Sequence, residues 1–164
     1  MVDVALHERL RELEDYRAII ELKHRYCNAC DGGWDRPTHN MEILSELFTE
    51  DAIWDGRPVL PLAEGRAAIE KTMQEFRNTF PFIIHNVMNP VIAINGDLAH
   101  GHWHAILHYQ TPKGAGTSYS IYEDTFARTS AGWRIKTLRV YGTAQVQHRD
   151  TGTRVKFMVP DPES

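Results

Sequence analysis

The chain has 164 residues, 42% of them hydrophobic and 24% charged, with a formal net charge of −4. That length and balance fit one globular domain with a sizeable core and exclude a disordered chain. Acids and bases are mixed with no basic block, which argues against a nucleic-acid partner, and no apolar run reaches the ~18 residues of a membrane span, so no membrane partner and a cytoplasmic location are expected.

Residues 6–30 read as a helix, because Leu13, Tyr16, Ile19, Ile20, Leu22, Lys23, Tyr26, Cys27 and Cys30 recur at steps of three and four. Asp31-Gly32-Gly33 stops it, since glycine takes the left-handed conformation that ends helices. Residues 34–40 contain Pro37 and read as a loop. A short helix follows over 41–48, with Ile43, Leu44, Leu47 and Phe48 as its apolar face, then a short strand over 52–54. A third helix over 65–80 carries Ala68, Ile69, Met73 and Phe76 and ends at Pro81.

The pattern then changes to strands over 83–94, 98–110, 118–128 and 133–147. Asn95-Gly96-Asp97, the Pro/Gly-rich stretch 111–116 and Ser130-Ala131-Gly132 are the turns between them. Helices first and a long meander after imply an α+β domain over 1–150, with the helices on one face of a curved, mostly antiparallel sheet. A sheet so bent leaves a cone-shaped pocket. Residues 151–164 read as a C-terminal tail lying over the surface or a neighbour.

Two residues suggest proton-transfer chemistry. Asp31 closes the first helix, and His85 opens the run that leads through Asn89-Pro90 into the sheet. A carboxylate on one imidazole nitrogen fixes the tautomer and raises the basicity of the other, which can then remove a proton beside a carbonyl. No metal or organic cofactor is needed if that proton is already acidic. The plainer alternatives are a turn aspartate binding backbone amides and a core histidine with its bonds satisfied.

His100, His102, His104 and His108 share one parity in their strand, and Ala99, Gly101, Trp103, Ala105, Leu107 and Tyr109 share the other. The apolar set should face the cone, leaving the histidines to solvent or another subunit rather than to a metal. Trp54 and Trp103 are the aromatic residues expected to line the pocket, suiting a flat cyclic substrate. Cys27 and Cys30 read as small buried helix residues, and Arg139 as a surface or subunit-contact residue.

The chain resembles the SnoaL-like branch of the NTF2-like superfamily over residues 16–141. The resemblance is carried by Ile19-Ile20-Glu21-Leu22-Lys23 with Tyr26, by Asp31-Gly32, and by Phe48-Thr49-Glu50-Asp51-Ala52. It continues through His85 with Asn89-Pro90, Gly96-Asp97-Leu98-Ala99-His100-Gly101, and Gly132-Trp133-Arg134-Ile135. Bile acid 7-alpha-dehydratase, scytalone dehydratase and hexachlorocyclohexane dehydrochlorinase belong to this branch. The resemblance implies that Asp31 is the dyad acid, His85 the base and Tyr26 a pocket tyrosine acting as acid or polarising donor. It also implies that Ser120 and Tyr122 are polar pocket positions.

Leu107 falls where the bile acid enzyme has a second pocket aspartate, and Gly142 near its pocket arginine, so a less polar substrate is expected. The loop at 35–40 is longer than in those relatives and could reshape the pocket mouth. The function implied is a cofactor-independent, dehydratase-like lyase acting on a hydrophobic cyclic, aromatic or polyketide/steroid-like molecule. An isomerase or cyclase could use the same pair. A non-catalytic ligand-binding domain, like the small subunit of aromatic-ring hydroxylases, is the rival. A homo-oligomer is expected, trimer before dimer.

Overall fold

The computed structural model describes residues 2–148, so the expected tail lies outside the described residues. Helix α1 (Val2–Cys30) is followed by α2 (Met41–Leu47), strands β1 (Phe48–Asp55) and β2 (Leu62–Glu64), and α3 (Arg66–Thr79). Four long strands complete the fold: β3 (Phe82–Asn95), β4 (Leu98–Thr111), β5 (Gly114–Thr129) and β6 (Gly132–Gln147). The six strands form one sheet in the order β2-β1-β6-β5-β4-β3. All neighbours are antiparallel except β1 and β6. The α+β architecture, with a mostly antiparallel curved sheet behind N-terminal helices, is therefore the one the sequence implies.

Several elements differ from the sequence reading in instructive ways. The buried face of α1 starts only near Asp15 and Ile19; Leu13 is 67% exposed, and Val4, Leu6 and Leu10 are exposed with it. In α2, Leu44 and Leu47 point inward while Ile43 is exposed. Phe48 belongs to β1, not to the helix, and is fully buried there. Strand β2 has no signal in the sequence; three residues are too few to show a period, and they pair only along the edge of β1.

The helix caps follow ordinary chemistry. Asn40 precedes α2, and its Oδ1 accepts the backbone N–H groups of Glu42 and Ile43 at 3.1 and 3.4 Å. The end of α1 is less ordinary. Gly32 pairs with Ile83 in an isolated antiparallel bridge, with N–H···O bonds of 3.1 and 3.2 Å in the two directions. Gly33 follows at φ 101°, and a Cβ there would lie 2.3 Å from the Pro81 carbonyl oxygen, so only glycine fits. The helix is thus stopped by being sewn onto β3.

Inside the sheet sits a core of Phe48, Trp54, Trp103, Tyr122, Phe126, Ile135 and Leu138, covered by Ile19, Leu22, Tyr26 and Cys30 of α1 and Ile69 and Met73 of α3. Each such large side chain, fully buried, contributes roughly 1.5–3 kcal/mol. Among the described residues, no helix is long and apolar enough to cross a membrane.

Candidate active site

The bridge that ends α1 also builds the site. Gly32 is held to Ile83, so Asp31, one residue before, meets His85, two residues after. Asp31 Oδ1 accepts the His85 backbone N–H at 2.9 Å and lies 2.6 Å from the ring Nδ1. A carboxylate in that position draws the ring proton to Nδ1 and leaves the lone pair on Nε2. The two side chains are only 5% (His85) and 8% (Asp31) exposed. Low dielectric strengthens their hydrogen bond.

The wall around the pair follows from strand register. His85 stands opposite Leu107, and Leu107 opposite Ser118. One step deeper, Val87, Ala105, Ser120 and Gly142 form the next row across the sheet. The Ser118 and Ser120 hydroxyls are 3.0 Å apart and bonded to each other. A Cβ built on Gly142 would lie 3.6 Å from Ser118 Oγ, so this position leaves space beside the serines. Tyr109 is half-buried near the mouth, its ring 5.9 Å from Phe80 and its hydroxyl accepting from Gln147 at 3.0 Å and from Gln145.

Four of the expected pocket residues, Tyr26, Trp54, Trp103 and Tyr122, are packed into the core. Tyr26 is buried with its ring edge-on to Phe48, and its hydroxyl accepts the Trp54 indole N–H at 3.0 Å. Burial pushes its pKa well above the ordinary phenol range. Its hydroxyl is engaged by Trp54, not by Asp31 or His85. Trp103 and Tyr122 are packed on all sides, as is Trp54. These aromatics are the floor beneath the pair rather than an open wall. Their size explains this: large rings fill the narrow base of the cone before any ligand can.

The floor also holds a charge pair with no obvious sequence signature. Lys23 Nζ lies 2.8 Å from Asp124 Oδ2, both side chains wholly buried. The ammonium sits 3.5 Å from the centre of the Tyr122 ring. Desolvation raises the Asp124 pKa, and the Lys23 charge opposes that rise. The available hints were a lysine within the apolar stripe of α1 and an acid at the inward parity of β5.

The loop at 33–40 folds over the end of α1. The His39 N–H bonds the Cys30 carbonyl at 3.1 Å, the Asn40 N–H bonds Ala29 at 2.7 Å, and the Thr38 hydroxyl bonds the Phe80 carbonyl at 2.9 Å. These bonds bury the His39 ring, 5.8 Å from that of Phe76. Cys27 and Cys30 are buried free thiols, with burial pushing Cys27 up to about 12 and Cys30 higher than its usual range. Two open grooves, of about 530 Å³ beside Met41 and Glu70 and about 400 Å³ beside Glu46 and Arg66, contain neither member of the pair.

On the outer face of β4 the histidines bond their neighbours one by one. His102 Nδ1 lies 2.7 Å from Glu123 Oε1, His108 Nδ1 3.0 Å from Thr117 Oγ1, and His104 Nδ1 3.4 Å from Asn89 Nδ2. Among the described residues, no three His, Cys, Asp or Glu side chains converge as a metal site would require. Arg139 is exposed, 5.5 Å over the Tyr141 ring.

Helices packed against a curved, mostly antiparallel sheet are the architecture of the NTF2-like, cone-shaped α+β proteins. The SnoaL-like domain matches residues 11–139, and the chain belongs to that family. An NTF2-like protein with a cystatin-like fold from Novosphingobium aromaticivorans is 30% identical, with 84% of this chain and 88% of that one covered and a TM-score of 0.69. A candidate scytalone dehydratase from the same organism is 24% identical, covering 91% and 93%, with a TM-score of 0.71. A hexachlorocyclohexane dehydrochlorinase is similar at 14% identity, covering 87% and 94%, with a TM-score of 0.76. Among curated proteins nothing matches the chain.

Proposed function

We propose that the protein is a cofactor-independent lyase of the dehydratase type, in which His85 removes a proton beside a carbonyl of a flat, hydrophobic cyclic molecule. The observation that carries this reading is the 2.6 Å contact between Asp31 Oδ1 and His85 Nδ1, both side chains almost withdrawn from solvent. Nε2 takes the proton, and the C–H electron pair moves toward the carbonyl oxygen. Collapse of that enolate forms the C=C bond and breaks the C–O bond to the β-hydroxyl. The departing hydroxide receives the proton now on Nε2 and leaves as water. Asp31 holds the imidazolium in place throughout.

This reading routes no step through Tyr26, whose hydroxyl accepts the Trp54 N–H within the packed floor. The protonated His85 is the acid for the leaving group. Leu107 opposite the base gives an apolar contact, and the Ser118–Ser120 pair offers hydroxyls to one edge of the substrate. The wall carries few charges, which favours a neutral substrate. The fold relationship to dehydratase and dehydrochlorinase neighbours supports elimination as the reaction type. The same reading includes a homotrimer, with the outer sheet face as the contact.

The test uses a panel of cyclic β-hydroxyketones in D2O, with water loss followed by mass spectrometry and α-deuteration by NMR. His85→Gln should lower turnover by about 10²–10⁴-fold, the usual contribution of a positioned general base, with unchanged circular dichroism. Full activity in that variant would remove His85 from the mechanism. A wild type inert toward the whole panel would favour a ligand-binding role.

A further inference from the structure

One polar atom near the pair has no use in this mechanism. The His39 side chain belongs to a residue only 3% exposed, and its Nδ1 has no hydrogen-bond partner among the described residues. Buried polar atoms are nearly always paired, so an orphan beside a candidate site points to a missing ligand. The backbone is committed to holding it there. His39 takes φ 54°, in the left-handed region; its own N–H is tied to Cys30, and its neighbours to Ala29 and Phe80. The ring lies tilted against Phe76, which in turn meets Phe80, so its surroundings are aromatic.

His39 is also close enough to His85 to feel its charge. Burial, with repulsion from His85 and from Arg77, pushes the His39 pKa down to about 3. The ring therefore stays neutral over the range in which His85 could work as a base. A neutral imidazole is a hydrogen-bond donor of fixed direction that adds no charge to repel an imidazolium beside it.

We propose that His39 is a second substrate-binding residue, whose Nδ1–H donates a hydrogen bond to the substrate oxygen that becomes the enolate when His85 takes its proton. This rests on the proton-abstraction reading. His85 gains the proton, the electron pair arrives on the oxygen, and His39 keeps its own hydrogen while the bond to it strengthens. The ligand class implied is a flat aromatic or cyclic molecule carrying a carbonyl or enol oxygen at its edge. The apolar rings near His39 meet its faces.

The experiment binds 2-naphthol, a stable aromatic enol, to the full chain, followed by fluorescence and by the ring ¹⁵N resonances of labelled histidine. His39→Asn and His39→Gly are the variants, since both residues accept φ 54°. Asparagine places an N–H near the site of Nδ1, whereas glycine removes it. Binding should shift the His39 Nδ1 resonance. His39→Gly should weaken 2-naphthol about tenfold or more, and His39→Asn should stay within about threefold, as the loss and retention of one buried hydrogen bond require. Added imidazole should restore affinity to the glycine variant.

Wild-type protein that fails to bind, an unmoved resonance, or equal losses in both variants would overturn the proposal. Binding needs no turnover, so the two readings fail separately. If His85→Gln left elimination intact while His39→Gly still weakened 2-naphthol, the base assignment would fall and the hydrogen bond would stand. The converse result would keep the pair and dismiss His39.

Discussion

Burial prevents His39 from taking a proton where an ordinary histidine would, and that has a cost in stability that pH exposes. Its folded pKa is depressed to about 3, against an unfolded value near 6.5. Between those values the unfolded chain binds a proton that the folded chain refuses. Stability contributed by this residue is therefore complete above about pH 7 and is lost as pH falls toward 3. From about pH 7.5 to 5.0 the loss is ~2 kcal/mol. Urea melts at both values should show the wild type falling by that much more than His39→Asn. His85 and Arg77, which disfavour a charge on His39, both remain in the variant. Equal falls would mean that water reaches the ring. Asp31 is the contrasting residue: its Oδ1 already has two donors from His85, so Asp31→Asn should keep the fold but misorient the ring, cutting turnover by about 10²-fold or more.

At the scale of elements, α1 is joined to the sheet by charge as well as by packing. Lys23 and Asp124 connect its middle to β5, and Asp15 connects its earlier turn to the β5–β6 hairpin through Arg128 and Trp133. A buried ion pair is costly to assemble but more costly to break. Lys23→Met alone, or Asp124→Leu alone, should lose about 3–5 kcal/mol in denaturant melts, whereas the double variant should recover most of it. If the single losses simply added, the pair would not be coupled. These connections also show what could be read from the sequence and what could not. Helix α1, the long strands and the inward parity of β4 were legible, because 3.6- and two-residue periods reflect one buried face each. Asp31 and His85 were legible as candidates through motif resemblance. Their contact was not, because it depends on the Gly32–Ile83 bridge, which spans about fifty residues of chain and leaves no periodic trace. Lys23–Asp124 was hidden for the same reason. His39 sat in a loop whose residues carry no period at all, and only the fold over α1 buries it. Trp54, Trp103 and Tyr122 were rightly placed inward, yet parity alone cannot tell a pocket wall from a packed floor.

Among the described residues the sheet has two unequal faces, and the outer one is incompletely covered. On it, Val91 is 67% and Tyr119 42% exposed, with Val146 exposed and Ile106 and Ile121 half-buried nearby. Register confirms that these share a side: Val91 stands opposite His102, Ile106 opposite Tyr119, and Ile121 opposite Tyr141. Apolar residues clustered on a flat sheet face are a usual interface signature, whereas single exposed ones need no explanation. The bonded imidazoles of β4 add polar groups whose free nitrogens could meet a partner. A second and third copy would cover this face without touching the opposite one, where Asp31 and His85 lie. Sedimentation equilibrium of the full chain should then give a trimer. Tyr119→Lys, which places a charge within the apolar cluster, should shift it toward monomer. Because Tyr119 lies on the opposite face of β5 from Ser118 and Ser120, the variant monomer should still bind 2-naphthol. A monomeric wild type would show that the outer face is not a contact between copies. Dissociation accompanied by lost 2-naphthol binding would mean that the assembly shapes the site, and not only the fold of one chain.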